Sequence, residues 1–531
     1  MELQTDCIPF VENPSINTLI RDYLLQHEAL SGLYSYSPDL KGVEQALVQR
    51  SSFPASRRMV LADVLLDQYQ QLGLADEKRL HLIASLKQAD TFTITTGQQL
   101  GLLLGPLYTV LKIANTITLA AEMKVRHPLK QFVPVFWLAS EDHDIDEINH
   151  FSFNHQKFVW NTDQSGPAGR LKTEGIKELL GKAFENFADV PALNQFIELC
   201  NQAYSLPDLS QATRFLAHHL FTDTDLLIID ADHPELKRQF GQIIFEDISN
   251  RVSYRESRKS IARLETSYHV QVQGREINFF YLKTGSRERI ELSSSGYQTT
   301  DGLHHWSEAE LLHEIGQSPE DFSPNVMMRP VYQEFILPNL AYIGGAAELA
   351  YWLELKPVFE AFDVHFPVVI LRNSAMFLNR VNHHRFANAG LKNQDLFLSL
   401  HELEAKVVLN QTGTDFSLKS ETSDLETWFL QLTEKASLVH PSLERASEAM
   451  KQRFMNQTDR FAKKLIREAK KKERENGFRI HELYKHLHPN NSLQERVYSY
   501  PHFLEHYCSD FLSLLLENMH CEPASMVVFK F

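Results

Sequence analysis

The sequence has few cysteines, no excess of positive charge and no long uninterrupted apolar segment. Its 531 residues include four cysteines, which lie far apart and form no CxxC pair. This spacing excludes a cysteine-rich zinc site of the usual kind and leads us to expect reduced thiols and a cytoplasmic protein. The formal net charge of −15 argues against a general nucleic-acid-binding protein, which is usually basic over its contact surface.

Signals for export or membrane insertion are also weak. The first ten residues, MELQTDCIPF, lack the basic and apolar regions of a signal peptide. The most apolar segment, residues 101–121, is long enough to span a membrane, but Pro106, Lys112 and Asn115 interrupt it. We therefore expect a buried helix at this position and no contact with a membrane.

Apolar patterns in the middle of the chain predict an α/β fold with a mainly parallel sheet. Strand signals cover residues 90–97, 132–140 and 223–232, and a helix signal covers residues 106–127. Because a strand–helix–strand order implies a right-handed crossover, we expect the three strands to be parallel neighbours whose ends meet in one cleft. A further helix is predicted over residues 340–362.

Other segments are predicted to be insertions and a helical arm. Residues 240–328 contain alternating strands that indicate a small antiparallel sheet, and residues 426–475 lack glycine and have apolar residues at helical spacing. We interpret the latter as a long helix in a coiled-coil hairpin arm, whose apolar stripe from Met450 to Leu465 pairs within the arm and with a second protomer. The predicted parts are an N-terminal helical part (1–90), a first core half (91–150), a first insertion (151–220), a core strand and helix (221–239), a second insertion (240–328), a second core half (329–379), the arm (380–488) and a return to the core (489–531).

An acidic cluster follows the second predicted strand, at Glu141, Asp142, Asp144, Asp146 and Glu147. These carboxylates repel one another, so we favour a functional role at the carboxyl end of a parallel strand, where ligands bind. There the acids would hold an ammonium group or hydroxyls, and His143 could exchange protons near neutral pH. A His/Asp metal site and a solvated acidic turn are the alternatives, whereas the spacing of a calcium-binding EF-hand is not met.

Two glycine-rich turns precede predicted helices and would allow a ligand to approach the backbone. The first, TTGQQLGLLLGP, has neither the GxGxxG nor the GK[ST] signature of nucleotide-binding loops, although the helix that begins near Pro106 offers N–H groups to an anion. The second, Gly344–Gly345, precedes an apolar helix that contains Glu348. The alternatives are a tight strand-to-helix turn at the first place and helix–sheet packing at the second. Arg372, at the end of a predicted strand over residues 365–374, is a candidate clamp for a carboxylate or phosphate.

Several long segments resemble a known family in the same order over essentially the whole chain. They are TTGQQLGLLLGPLYTVLK, PVFWLASEDHDIDEINH, DLLIIDAD, RPVYQEFILPNLAYIGGAAELAYWLEL and NNSLQERV. In these segments the chain is similar to the cysteine ligase family of bacillithiol biosynthesis, BshC. The resemblance implies a Rossmann-like core of the class I nucleotidyl-transferase kind, connecting-peptide insertions, a coiled-coil domain and a homodimer. It also implies that cysteine is joined to the amino group of glucosaminyl malate, in the last step to bacillithiol.

The sequence departs from class I cores in its nucleotide-binding signatures. The place of the HIGH-type motif is occupied by GPLY, Gly105 to Tyr108, which has no histidine, and no KMSKS loop or set of zinc-binding cysteines is evident. These departures argue against ordinary ATP-dependent adenylation. ATP or another nucleotide is still the cofactor that the resemblance allows, and no metal is expected.

The resemblance and the expected geometry together suggest roles for individual residues. We predict that His143 is the general base, that Asp142 and Asp144 favour its imidazolium form and bind the substrate ammonium or hydroxyls, and that Lys112 and Arg372 attract malate carboxylate or phosphate. The predicted substrate-binding residues are Thr96, Gly97, Gln98, Gly105, Pro106, Tyr108, Lys112, Glu141, Asn149, Tyr342, Gly344, Gly345, Glu348 and Trp352. A second, nucleotide-binding pocket is predicted at Arg372, Asn373, Ser374, Asn490, Asn491, Ser492, Gln494 and Arg496.

A non-catalytic function is the alternative from another class. The helical arm and the missing signature loops would then belong to a dimeric scaffold with a ligand-binding, Rossmann-like core. Titration calorimetry separates the two hypotheses, because a scaffold should bind neither cysteine nor glucosaminyl malate nor ATP.

Overall fold

The structure, a computed structural model, describes most of the chain. The described residues are 3–14, 16–187, 190–294, 296–412, 418–472, 474–508, 510–519 and 522–531. They divide into two compact units. The smaller unit comprises Met1–Ile8, Met376–Gln494 and Val528–Phe531, and the larger comprises Pro9–Ala375 and Glu495–Val527.

Helices and strands are numbered along the chain. The strands are β1 (Gln4–Pro9), β2 (Thr91–Gln98), β3 (Gln131–Leu138), β4 (His150–Phe153), β5 (Gln156–Val159), β6 (Leu227–Asp230), β7 (Phe279–Lys283), β8 (Ser286–Ser293), β9 (Gly296–Thr299), β10 (His305–Trp306), β11 (Phe322–Pro324), β12 (Asn339–Gly344), β13 (Val368–Leu371), β14 (Ser374–Leu378) and β15 (Ser525–Lys530). The α-helices are α1 (Thr18–Leu24), α2 (Leu40–Gln49), α3 (Ala55–Gln71), α4 (Glu77–Ser85), α5 (Tyr108–Arg126), α6 (Ile145–Ile148), α7 (Ile176–Phe184), α8 (Pro191–Ala203), α9 (Leu209–Leu220), α10 (Pro234–Asn250), α11 (Val252–Leu264), α12 (Glu308–Gln317), α13 (Arg329–Ile336), α14 (Ala346–Trp352), α15 (Lys356–Ala361), α16 (Arg380–Asn388), α17 (Leu400–Thr412), α18 (Lys419–Val439), α19 (Pro441–Lys472), α20 (Arg474–Leu487), α21 (Gln494–Val497), α22 (Tyr500–His506) and α23 (Phe511–Asn518).

A five-stranded parallel sheet forms the centre of the larger unit. Its strand order is β13–β12–β2–β3–β6, and each neighbouring pair is parallel. At the carboxyl ends of these strands, Gln98 lies opposite Leu138, and Leu138 lies opposite Asp230. The three strands predicted to be parallel neighbours are therefore confirmed, together with the Rossmann-like α/β fold class.

Both faces of this sheet are covered, which explains why its strands are buried nearly throughout. Val133, Val135 and Trp137 of β3 belong to one apolar cluster, while Phe132 of the same strand belongs to another. Alternate residues of a strand point to opposite faces, so the two clusters are the cores on the two sides of the sheet. Met123 of α5 contributes to the second cluster, as expected for a helix that connects two parallel strands.

One long helix was predicted over residues 340–362, and this prediction is wrong in its first part. Residues Asn339–Gly344 form β12, a central strand of the sheet, and α14 and α15 follow it. A short, continuous apolar run fits a fully buried strand as well as a buried helix, so its spacing does not distinguish them. The structure also contains β1 in the N-terminal part that was predicted to be helical.

The cysteines differ in their redox state. Cys7, in β1, is disulfide-bonded, whereas Cys200 and Cys508 are free. The expectation of reduced thiols is therefore wrong for Cys7. Cys521 lies outside the described residues.

The apolar segment 101–121 forms a turn and most of α5, whose Leu111, Ala114 and Leu119 are buried. This agrees with the buried helix predicted there. Among the helices in the described ranges, none has the length and apolar character needed to cross a membrane.

The second insertion contains the predicted antiparallel sheet. Its strand order is β10–β9–β8–β7–β11, and the neighbours are antiparallel. A further two-stranded hairpin is formed by β4 and β5.

The smaller unit contains the predicted helical hairpin, together with residues of a third sheet in the order β1–β15–β14. The long predicted helix is interrupted at His440, because a residue that precedes a proline disfavours the helical conformation. Phe429 of α18 is buried, and its ring lies 5.7 Å from that of Phe454 of α19. The expected pairing within the arm is thus confirmed.

Candidate functional site

A cavity of about 700 Å³ lies in the larger unit at the carboxyl ends of the parallel strands. Its wall includes Gly97 and Gln98 at the end of β2, Leu138 at the end of β3, Tyr342 near the end of β12, and Arg372 directly after β13. Ligands of open α/β sheets bind at this edge, and the volume is in the range of small-molecule sites. The cavity is therefore the candidate site.

The structure brings about half of the predicted site residues together in this cavity. Those in its lining are Gly97, Gln98, Tyr108, Lys112, Glu141, Asp142, Tyr342, Gly345, Glu348, Arg372 and Arg496. Those of the larger unit that lie outside the lining are Thr96, Gly105, Pro106, His143, Asp144, Asn149, Gly344, Trp352, Asn373 and Ser374. The smaller unit contains Asn490, Asn491, Ser492 and Gln494, for which a nucleotide-binding role stays a prediction.

Some of the predicted residues outside the lining pack behind the cavity wall and do not contact the cavity itself. Thr96 is buried and donates a hydrogen bond from its hydroxyl to the carbonyl oxygen of Ile343, at 2.8 Å. Trp352 is buried behind the wall, where its ring stacks on that of Tyr342 with centroids 4.8 Å apart. Asp144 is exposed to solvent.

Sequence reasoning missed the contribution of the second insertion. The basic side chains of the lining are Lys112, Arg275, Arg287, Arg289, Arg329, Arg372 and Arg496, and its carboxylates are Glu141, Asp142 and Glu348. The cavity is thus locally basic in a chain with a net charge of −15. The sequence contains one indication of this contribution. Arg287 and Arg289 are two residues apart in β8, so both face the same side of that strand.

Lys112 and Glu348 form a buried ion pair in the cavity wall. The Lys112 ammonium donates to Glu348 Oε2 at 2.7 Å, to the carbonyl oxygen of Gly97 at 2.5 Å and to Gln98 Oε1 at 3.2 Å. Burial lowers the pKa of Lys112, although the Glu348 carboxylate opposes this effect. All three ammonium protons have acceptors, so an incoming substrate anion would have to displace one of them.

Both carboxylate oxygens of Glu348 also have hydrogen-bond donors. Besides Lys112, its carboxylate accepts hydrogen bonds from the Tyr342 hydroxyl at 2.5 Å and from the Gly345 N–H at 2.8 Å. Burial alone would raise the pKa of Glu348, but the charge and hydrogen bond of Lys112 bring it below the usual value. Glu348 therefore remains an anion and fixes this part of the wall.

Arg372 lies at a strand end, as predicted, but its charge is already balanced. Its Nη2 lies 2.5 Å from Glu495 Oε1, and both side chains are buried. Its Nη1 donates to Ser374 Oγ at 2.9 Å and to the carbonyl oxygen of Asn373 at 3.2 Å. Arg372 thus joins the chain segment after β13 to the start of α21.

Asp142 and His143 contact each other and the second insertion. Asp142 accepts hydrogen bonds from Gln99 Nε2 at 2.7 Å and from the His143 N–H at 2.8 Å. Burial alone would raise the pKa of Asp142, but the hydrogen bonds from His143 and Gln99 and the charge of Arg287 lower it well below its usual value. Asp142 is therefore a permanent anion in the cavity.

The imidazole of His143 accepts a hydrogen bond from Arg287. Arg287 Nη1 lies 2.9 Å from His143 Nδ1, and the guanidinium packs over the Phe280 ring at 3.9 Å. The ring therefore contacts a cation as well as the Asp142 carboxylate, which lies 3.7 Å from the same nitrogen. The imidazolium form expected from Asp142 and Asp144 stays a prediction.

Of the three carboxylates in the lining, Glu141 is the one whose pKa is raised above its usual value. Its Oε1 lies 2.6 Å from the ammonium of Lys237, which also pairs with Asp232 at 2.8 Å. Burial raises the pKa of Glu141, despite the opposing charge of Lys237. Glu141 can therefore accept a proton more readily than Asp142 can.

The turn between β2 and α5 does not have the form of a phosphate-binding site. Gly105 has a φ of +74°, and a Cβ atom at Gly101 would lie 2.9 Å from the Gly105 Cα, so the tight turn requires both glycines. The N–H of Leu107 donates to the carbonyl oxygen of Tyr498 at 2.9 Å, and that of Leu103 donates to the Tyr204 hydroxyl at 2.8 Å. With these N–H groups engaged, a nucleotide triphosphate does not fit here as it does in class I cores.

Two family models match the chain. Residues 3–373 match the model described as "Bacillithiol biosynthesis BshC, N-terminal Rossmann-like domain". Residues 375–531 match the model described as "Bacillithiol biosynthesis BshC, C-terminal coiled-coil domain". Together the two matches span nearly all of the sequence.

Proteins named "Putative cysteine ligase BshC" are similar to this chain over nearly their full length. The one from Flavobacterium johnsoniae is 37% identical over 519 residues, which cover 97% of this chain and 98% of that protein. The one from Christiangramia forsetii is 36% identical and covers 100% of this chain and 99% of its own. A more distant one, from Bacillus cereus, is 27% identical and covers 94% of this chain and 95% of its own.

Proposed function

The chain belongs to the BshC family of bacillithiol biosynthesis, and on this premise we propose that it is a ligase that joins cysteine to the amino group of glucosaminyl malate. The observation that supports this substrate is the charge pattern of the cavity, which combines a basic excess with the two neighbouring carboxylates Glu141 and Asp142. Glucosaminyl malate has the complementary pattern, because it contains one ammonium group and two carboxylates.

The charge pattern suggests how the substrate is oriented. We place the malate carboxylates toward the guanidinium groups of the second insertion and of α13, which can form charge-assisted hydrogen bonds with them. The ammonium group then lies toward Asp142, which is a permanent anion. This orientation brings the nitrogen that must attack close to Glu141.

An ammonium group must lose a proton before it can attack a carboxyl carbon. We assign the acceptance of this proton to Glu141, because it lines the cavity and its pKa is raised by burial. Asp142 would hold the ammonium group by charge. His143, the base predicted from the sequence, has a side chain that is 45% exposed and a ring nitrogen engaged by Arg287. Its role and that of Asp144 stay predictions.

The cysteine carboxylate is a poor electrophile and needs activation before an amide can form. ATP, the cofactor that the fold suggests, would supply this activation when bound. Because the turn after β2 does not fit its phosphates, the roles assigned here concern only substrate binding and proton transfer by the chain's own residues.

Metabolite analysis of a strain that lacks the gene tests the proposed reaction. We expect bacillithiol to disappear and glucosaminyl malate to accumulate, and we expect the reintroduced gene to reverse both changes. Calorimetry with the purified chain should show binding of glucosaminyl malate. Unchanged bacillithiol in the deletion strain, together with no binding of cysteine or glucosaminyl malate, would favour the non-catalytic scaffold.

We also propose that the arm mediates a homodimer. Met450, Phe454 and Phe461 on α19 are 39%, 47% and 55% exposed although they are apolar, and large exposed apolar side chains in a row mark association surfaces. Light scattering at micromolar concentration should give twice the chain mass of 61.2 kDa. Phe454→Lys should weaken the dimer about tenfold or more.

The control for this experiment is Leu303→Lys, which changes another exposed apolar side chain, in the second insertion of the larger unit. It should leave the dimer intact. A monomeric wild-type chain would contradict the proposal.

A further inference from the structure

We propose that Arg329 binds a carboxylate of the substrate and thereby selects acidic over neutral amino sugars. This inference rests on the proposed function and assigns a specificity-determining role to a residue that the sequence did not indicate. It follows from the surroundings of the Arg329 guanidinium, from the state of the other cations in the cavity and from the geometry of guanidinium–carboxylate pairs.

The guanidinium of Arg329 is held in the cavity wall by neutral groups. Its Nη1 donates to Gln333 Oε1 at 3.0 Å, and its Nη2 donates to the Tyr351 hydroxyl at 3.2 Å. The group also lies 5.7 Å from the centre of the Tyr342 ring. These contacts fix the orientation of the half-buried guanidinium without pairing it directly with a carboxylate.

The charges of two carboxylates act on Arg329, but each carboxylate is already hydrogen-bonded to other groups. Glu348 accepts hydrogen bonds from Lys112, Tyr342 and Gly345, and Glu334 accepts them from Gln333 and Asn339. Within the described part of the chain, Arg329 makes no ion pair with any carboxylate. Its remaining N–H groups are therefore free to bind an anion that enters the cavity.

The two fully buried cations of the lining already have their own counter-charges. Lys112 pairs with Glu348, and Arg372 pairs with Glu495. A substrate carboxylate at either cation would have to compete with a protein carboxylate in a place of low dielectric. Arg329 has no directly bonded carboxylate among the described residues, so a substrate carboxylate would displace none there.

The arginines of the second insertion are also engaged or exposed. Arg287 donates to His143, to the Ser323 hydroxyl and to the carbonyl oxygen of Pro324. Arg289 lies 3.3 Å from Glu291, and Arg275 is exposed to solvent. Among these cations of the cavity, Arg329 is thus partly buried and forms no ion pair with a carboxylate of the described chain.

A carboxylate is the anion that fits this arrangement best. The planar guanidinium can offer two parallel N–H groups to the two oxygens of one carboxylate, and such bidentate pairs are strong and directional. Contacts with Gln333 and Tyr351 restrict its rotation, so little ordering is required on binding. Glucosaminyl malate provides a carboxylate, whereas a neutral glycoside of glucosamine provides none.

Calorimetry with three probes tests the role of Arg329. The probes are glucosaminyl malate, methyl glucosaminide, which has the same amino sugar without malate, and inorganic phosphate. We expect Arg329→Gln to weaken glucosaminyl malate binding about 10- to 100-fold and to change methyl glucosaminide binding less than about twofold. Arg329→Lys should give an intermediate loss, because it keeps the charge without the bidentate geometry.

The controls separate a specific role from a structural one. Arg238→Gln removes an exposed arginine outside the cavity and should leave all affinities unchanged. Thermal unfolding should show that the Arg329 variants fold. An equal loss for the acidic and the neutral sugar would overturn the proposal, and so would a loss of phosphate binding alone. If wild type does not bind glucosaminyl malate, the proposed function fails. If wild type and Arg329→Gln bind it equally, only the role of Arg329 fails.

Discussion

Replacing Glu141 by glutamine is expected to lower the turnover number about 100-fold or more, with little change in the affinity for glucosaminyl malate. Glutamine has the same size and can still accept a hydrogen bond from Lys237, but it cannot take a proton from the substrate ammonium. General base catalysis contributes about 100- to 10,000-fold to rates, which sets the size of the expected loss. The measurement is the initial rate of bacillithiol formation, with the dissociation constant determined separately by calorimetry.

The pH dependence gives a second readout of the same variant. Because burial raises the pKa of Glu141, the wild-type rate should fall on the acidic side as pH decreases through this raised value. Glu141→Gln should lose this acidic limb. His143→Ala is the matched comparison, and we expect it to lower the rate less than about threefold. If the histidine variant loses about 100-fold and the glutamine variant does not, His143 is the base, as the sequence had suggested.

Replacing Lys112 by methionine is expected to lower the free energy of unfolding by about 3–5 kcal/mol. The side chain of Lys112 is 2% exposed, so the substitution leaves the Glu348 carboxylate in the cavity wall without its counter-charge. Removal of one partner of a buried ion pair has a cost of about this size. Denaturant titration of the wild type and the variant measures the difference.

Two controls define the origin of this loss. In the double variant Lys112→Met and Glu348→Gln, both charges of the pair are removed together, so most of the stability should return. Lys87→Met breaks a more exposed pair with Asp63 and should change stability by less than about 1 kcal/mol. If Lys112→Met is no more destabilising than Lys87→Met, the pair does not have the structural role assigned to it.

The sequence predicted the central sheet well because its strands have strong local signals. β2 is a run rich in β-branched residues that ends at Gly97–Gln98, β3 is an apolar run followed by the acidic cluster, and β6 is an apolar run that ends at Asp230. Their order along the chain indicated that they are parallel. The strand β12 was missed because NLAYIG continues into an apolar helix without an intervening polar turn. Local spacing contains no information on where such a run changes from strand to helix.

The site was only partly predictable, because three of its ten charged lining residues, Arg275, Arg287 and Arg289, come from a distant insertion. His143 shows the difference between neighbours in sequence and neighbours in space. Asp142 and Asp144 are its neighbours in the sequence, but Arg287, 144 residues away, lies 2.9 Å from its Nδ1. Trp352 was expected to face the ligand and instead supports the Tyr342 ring from behind. These arrangements depend on packing between segments, which sequence spacing does not specify.

A crystal structure with glucosaminyl malate tests most directly whether the cavity at the carboxyl ends of the parallel strands is the substrate site. We predict that the ligand occupies this cavity, with its amino group within hydrogen-bond distance of Glu141 or Asp142 and a malate carboxylate paired with Arg329. Density for the ligand outside this cavity, or with the malate group at Asp142 and the amino group among the arginines, would contradict the account.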